Sequence, residues 1–227
     1  MDKNLKAALA VLGLLYGAVP SIACADDQPA VVKLMSDPTE QRHVMSAAAQ
    51  STVVLQNPCP TAQYSVEGKF IPYRPVNLDS TGKIASGAWK QVVVEQGCGI
   101  KRVLNVLVSV QDSNTVSIAP LLPGTTHADP ILQKDAVRYA VQSLATVPGG
   151  REENCRIGYV ANTEFVEEGS STLPGAKGPS WRELWTLASC TQKMLVPVGF
   201  IPDPTGTTIS ARPNTAINVM PLTEGHP

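Results

Sequence analysis

Apolar residues in this chain alternate with polar ones in short stretches, and most of the stretches occur twice. Leu104, Val106 and Val108 alternate with Asn105 and Ser109, and Met194, Val196, Val198 and Phe200 hold the matching even positions further on. A period of two marks a strand with one face turned to a core. Just upstream of these strands stand WKQVVVEQGC and WRELWTLASC, in which Trp89 and Cys98 recur as Trp181 and Cys190 at an offset of 92 residues. Trp181, Glu183, Trp185 and Leu187 share one face of the second stretch, and Leu184, Thr186, Ala188 and Cys190 the other. Apolar groups on both faces predict a central strand. Pro197 and Gly199 lie opposite the apolar set of the next strand, which predicts an edge or a bulge there.

A helical period precedes each set of strands. Asp37-Pro38 opens SDPTEQRHVMSAAAQS and Asp129-Pro130 opens ADPILQKDAVRYAVQS, again 92 residues apart. Asp accepts hydrogen bonds from the first free N–H groups of a helix, and Pro at the next position forfeits nothing. Helices are therefore predicted over 37–52 and 129–146, capped by Asp37 and Asp129. Tyr64 and Phe70, and likewise Tyr159 and Phe165, stand six apart, an even spacing that puts each pair on one side of strands near 62–72 and 156–166. Turn formers fill 73–88 and 167–180 and predict loops, where contact surfaces are expected. Asp112 and Asp203 end strands in turns, with short strands expected near 115–119 and 207–211.

These elements predict an α+β fold: a tandem duplication of a helix-plus-antiparallel-strands unit, mostly antiparallel sheet with helices packed on one face. Unit one spans 37–128, unit two 129–212, and 213–227 is a tail. Trp89, Trp181, Trp185, Tyr64, Phe70, Tyr159 and Phe165 are the expected core aromatics, the tryptophans because each copy needs the same bulky residue to close a small core.

The start of the chain sets the compartment. Lys3 and Lys6, 13 apolar-run residues from Ala7 to Val19, Pro20 and Ala23-Cys24-Ala25 read as a signal peptide over 1–25, followed by a linker over 26–36. Cleavage after Ala25 leaves no transmembrane segment and a periplasmic or extracellular protein; lipidation at Cys24 is the alternative, with Ser21 where a lipobox usually has Leu. Removing 1–25 takes out Lys3, Lys6 and Asp2 and moves the formal net charge from −1 to −2. With no basic run left, electrostatic binding to nucleic acid or an anionic membrane is unsupported.

Four cysteines remain, Cys59, Cys98, Cys155 and Cys190, and none of their spacings is C-x-x-C. An even number in an exported chain reads as disulfides. All three pairings fit the symmetry; locality favours Cys59–Cys98 and Cys155–Cys190, each contributing ~4 kcal/mol on the loop-entropy model.

Residues 103–145, VLNVLVSVQDSNTVSIAPLLPGTTHADPILQKDAVRYAVQSLA, resemble the C-terminal module of TonB-type energy-transducing proteins. The resemblance covers about a fifth of the chain and implies an alternating strand, a turn, a second strand, a loop and a capped amphipathic helix. It carries no functional residue over, and the Trp–Cys repeat lies outside it.

Reactive side chains are sparse. Of the histidines, His43 sits in the first helix, His226 in the tail, and His127 two residues before Asp129, where the pair could form half of a metal or proton-transfer site. There is no G-x-S-x-G or Ser-x-x-Lys signature. Glu152-Glu153 and Glu167-Glu168 read as solvated charges, Gly149-Gly150-Arg151 does not join a strand to a helix start, and Asp203 to Thr208 is ordinary turn chemistry with too few carboxylates for calcium. The chain accordingly reads as an exported, disulfide-stapled, non-catalytic module that binds another envelope protein, with no catalytic residue, cofactor or metal assigned. Two alternatives stay open: a hydrolase or lyase with a site between the halves involving His127, and a small-ligand or metal carrier.

Overall fold

The computed structural model describes residues 28–112, 115–144, 158–169, 176–189, 192–211 and 219–221. Two antiparallel sheets dominate, with a few helices, so the fold is mixed α+β and mostly sheet. Strands β1 (Gln63–Leu78), β2 (Ile84–Gly97), β3 (Ile100–Asp112) and β4 (Thr115–Pro120) form the first in sequence order. Strands β5 (Tyr159–Gly169), β6 (Ser180–Ala188), β7 (Gln192–Asp203) and β8 (Gly206–Ala211) form the second, where β9 (Val219–Pro221) also pairs with β7. Helices α1 (Gln28–Met35), α2 (Pro38–Ala49) and α3 (Thr52–Gln56) precede the first sheet, and α4 (Pro130–Leu144) precedes the second.

The predicted caps explain where the long helices start. Asp37 accepts from Thr39 N and Glu40 N, and these backbone bonds hold its carboxyl below the usual carboxylate range. Asp129 accepts from Ile131 N and Leu132 N at 2.8 and 2.9 Å. The expected helix over 37–52 is broken: α2 ends at Ala49 and Ser51 starts α3. The stretch read as a linker contains α1, whose Val31 and Met35, four apart, are buried in the first core. Burial of this face stabilises so short a helix.

The expected loop over 73–88 is also corrected. Strand β1 continues to Leu78 and β2 begins at Ile84, leaving a turn of 79–83 in which Asp79 accepts from Thr81 N, Thr81 Oγ1 and Lys83 N. Pro72 and Pro75 are tolerated because β1 lies at the sheet edge, where a missing N–H needs no ladder partner. Likewise β5 runs on to Gly169, into the expected loop 167–180. Pro197 and Gly199 predicted an edge or a bulge, yet β7 lies between β6 and β8 with an unbroken register to β6. Pro197 fits because β8 pairs with Val198–Asp203 and β9 with Gln192–Met194, and it falls in the interval between them.

The β2–β3 hairpin closes on Gly97↔Ile100 through Cys98 and Gly99, whose φ values are 48° and 72°. Two consecutive positive φ values give the type I′ turn that matches the twist of a two-residue hairpin. Cys98 is bonded to Cys59, Cα atoms 5.9 Å apart. Cys155 and Cys190 lie outside the described residues.

Each sheet has its own core. Trp89, Val93, Leu104, Val106 and Val108 pack with Val31, Val44 and Ala48 in the first. Trp185, Leu187, Met194, Val196, Val198 and Phe200 pack with Ala136 and Ala140 of α4 in the second. Trp181 is half-buried there, its ring stacked 4.8 Å from Phe200. Tyr64 and Phe70 are half-buried on the first core. The expected pairing of Tyr159 with Phe165 on one side fails, because a register shift between Val160 and Asn162 intervenes. Tyr159 packs against the first core, whereas Phe165 stacks on His127. The order strand, turn, strand, loop, helix implied by the TonB-type resemblance is present as β3, β4 and α4, but α4 packs on β7 and β8, so strands and helix serve different sheets. Among the described residues, no helix is long and apolar enough to cross a membrane.

Candidate functional site at the junction of the two sheets

The segment after β4 is bonded to both sheets. On one flank Leu121 N donates to Asn105 O and Gly124 N to Val103 O, at 2.8 and 2.9 Å. On the other, Thr125 N donates to Thr163 O at 2.7 Å and Thr163 N to Pro123 O at 3.0 Å. Side chains complete the seal: Asn105 Nδ2 donates to the carbonyls of Leu122 and Gly124, and Thr163 Oγ1 donates to Pro123 O. Gly124 is required here, since its φ is +96° and a Cβ would stand 2.0 Å from Thr163 O.

Two opposite charges are buried behind this segment. Lys90 of β2 is 4 % exposed and donates from Nζ to Thr126 O at 2.7 Å. Glu183 of β6 is 1 % exposed and accepts from His127 N, Trp181 Nε1 and Trp185 Nε1 at 2.9, 2.9 and 2.8 Å. Burial pulls the Lys90 ammonium below its ordinary range, and the Glu183 carboxylate acts against that pull. A charge out of water is tolerable only when paired or fully hydrogen-bonded, and each of these has polar partners across the junction. Tyr73 of β1 faces the same region; burial first, then the carboxylates of Asp129 and Glu183, push its hydroxyl well above the usual phenol range, against the effect of Gln133.

The singled-out reactive residues take structural places. His127 presents its backbone N–H, not its ring, to Glu183; the exposed imidazole stacks on Phe165 at 4.0 Å. Asp129 caps the start of α4 through Oδ1. His43 lies exposed on α2, 3.6 Å from Glu40. Glu167 pairs with Arg182 on the surface. Asp203 accepts from Thr205 Oγ1, Thr208 Oγ1 and Thr205 N, which hold its carboxyl down to about 2. The histidine of the tail, the Glu152-Glu153 pair and Gly149-Gly150-Arg151 lie outside the described residues. Among the described residues, no group of three or more His, Cys, Asp and Glu is placed to hold a metal ion.

Two cavities flank the junction. The smaller, about 360 Å³, lies beside the start of α4 between Pro123, Gln133, Val137 and Val160. The larger, about 940 Å³, opens between the start of β3 and the start of β5 and reaches Thr186, Lys193 and Leu195 of the second sheet. Both sheets thus contribute its walls. Among the described residues, Lys101, Arg102 and Lys193 line it against one acid, Glu164. Arg102 is fixed in place: its guanidinium bonds the fully buried Glu95 at 3.1 Å and Asn57 O at 3.1 Å. Asn57 in turn donates from Nδ2 to the Tyr159 hydroxyl at 2.6 Å.

Sequence reasoning missed Lys90, Glu183 and the three cations of the large cleft. Glu183 did leave a trace, as a carboxylate on the same strand face as Trp181, Trp185 and Leu187. Comparison with protein-family models, curated proteins and solved structures gives no match for this chain.

Proposed function

We propose that this chain is an exported, non-catalytic binding module, made by tandem duplication of a helix-plus-four-strand unit with the helix on one sheet face. It would act in the periplasm or outside the cell after removal of residues 1–25, with Cys155–Cys190 as a second bridge, and bind another envelope protein. One observation carries the reading. The large open cleft is lined by both sheets, while the acid and base groups nearest the junction are committed to packing: Glu183 to two indoles, His127 to Phe165, Asp129 to a helix cap.

The duplication is supported by register. Trp89 pairs with Val108 and Trp181 with Phe200; Gln91 pairs with Val106 and Glu183 with Val198, each position 92 further on. Phe70 pairs with Gln91 and Phe165 with Glu183 as well, although Phe165 stands 95 rather than 92 positions beyond Phe70.

A photo-crosslinking residue placed at Asn162, on the cleft wall, tests the function in intact cells. An envelope protein captured from Asn162 but not from Ser117, away on β4, is the expected result. Turnover of a substrate by the purified mature protein, abolished by Glu183→Gln at unchanged Tm, would overturn it.

A further inference from the structure

We propose that the large cleft binds an acidic, extended segment of the partner protein, its carboxylates received by Lys101, Arg102 and Lys193 and its backbone by the open edge of β3. This rests on the binding-module reading and names the chemistry of the partner. Three observations lead there.

The first is charge. In a chain of formal net charge −1, the described lining of the cleft gathers three cations against Glu164. Among the described residues neither Lys101 nor Lys193 is ion-paired. They come from different sheets, β3 and β7, and both line the cleft. Apolar walls at Ile100, Val103 and Leu195 lower the effective dielectric around such contacts and leave room for apolar side chains between the carboxylates.

The second is preorganisation. Arg102 would have to be ordered on binding if it were free, and that ordering weakens affinity. Here Glu95 and Asn57 already hold it, using three of the five N–H donors a guanidinium carries and leaving donors over for a ligand.

The third is the backbone. Gly97 and Ile100 close the hairpin, so the peptide groups of Lys101 and Val103 point away from β2. Val103 O receives Gly124 N, and β4 pairs only from Val106 onward. Among the described residues no strand is registered beside Lys101, which lines the cleft. An extended peptide can add to such an edge, alternate side chains then facing the cleft. A small free anion uses the charges but not this edge.

The test uses the full mature protein and a fluorescein-labelled peptide of alternating Glu and Val, read by anisotropy. Saturable binding is expected, weakened roughly tenfold or more when Gln replaces Glu in the peptide and again in the Lys101→Gln/Lys193→Gln protein. Binding is also expected to collapse at about 1 M salt, where the screening length is ~3 Å. Both lysines project into the cleft rather than a core, and an unchanged Tm confirms that the variant folds. A Thr186→Trp variant, which fills the cleft floor, is expected to abolish binding independently of charge. Equal affinity for the Glu and Gln peptides, or lysine-dependent binding of dodecanoate or inorganic phosphate without peptide binding, overturns the proposal. If the peptide fails while crosslinking from Asn162 still captures an envelope protein, this inference falls and the binding-module reading survives; turnover by the purified protein removes both.

Discussion

Gln91 and Glu183 occupy the same place in the two sheets and do opposite work. They lie 92 residues apart, each is 1 % exposed, and each pairs with a Phe on one side and a Val on the other. Gln91 donates from Nε2 to the carbonyls of Glu67 and Lys69, where the register of β1 slips between Val66 and Phe70. Glu183 accepts from two indole N–H groups and the His127 N–H. Among the described residues the Trp89 indole N–H is buried with no partner, while both tryptophans of the second sheet are satisfied. The polarity of a buried side chain is thus set by what its neighbours leave over. Spare carbonyls require an amide donor, and spare N–H groups require a carboxylate. The carboxylate then needs a counter-charge, which Lys90, next to Gln91 in the other sheet, supplies from across the junction.

That contrast can be broken most severely at Glu183. Glu183→Ala strands three N–H donors and leaves Lys90 buried without its opposing charge, with an expected loss of about 3–5 kcal/mol in urea unfolding. Gly124→Ala acts on the bond between the sheets; the clash with Thr163 O and the positive φ predict a loss of about 3 kcal/mol. Faster amide exchange at Thr125 and Thr163 than in the centre of either sheet would place that loss at the junction. Gln91→Glu sharpens the comparison directly. It turns a carboxylate on two carbonyls, at about 2 kcal/mol, and an unchanged unfolding midpoint would mean that β1 does not use the amide.

The smallest effect belongs to Asp203, on the surface. Its folded pKa, about 2, lies below the ordinary value of 3.8, so protons bind the unfolded chain first. The stability it contributes is present above pH 3.8 and lost as pH falls through about 2. The gap in unfolding midpoint between wild type and Asp203→Asn is therefore expected to narrow across that window, and a constant gap would contradict the hydrogen bonds from Thr205 and Thr208.

Much of the local structure was legible because its causes are local. Asp37 and Asp129 act on N–H groups two or three residues away, and the alternation at Leu104–Val108 and Met194–Phe200 needs only the pleat. What escaped depends on distant partners. Pro75 falls in the expected loop until β1 is known to be an edge, and Pro197 reads as an edge or a bulge until β8 and β9 are seen to part around it. The site was the least legible. Lys90 and Glu183 are 93 positions apart, and no window short enough to show a period contains both. Lys101 and Lys193 are 92 apart, and each alone reads as an ordinary solvated charge.

The run from Leu121 to Thr126 is tied to Asn105 and Val103 on one flank and to Thr163 on the other. One residue spliced into it would throw the flanks out of phase and turn the side chains of one of them over. The hairpins at 79–83 and 203–206 can lengthen without such a penalty, because each serves a single ladder. Descendants of this chain will therefore tolerate gaps at those hairpins and will keep this seam at constant length.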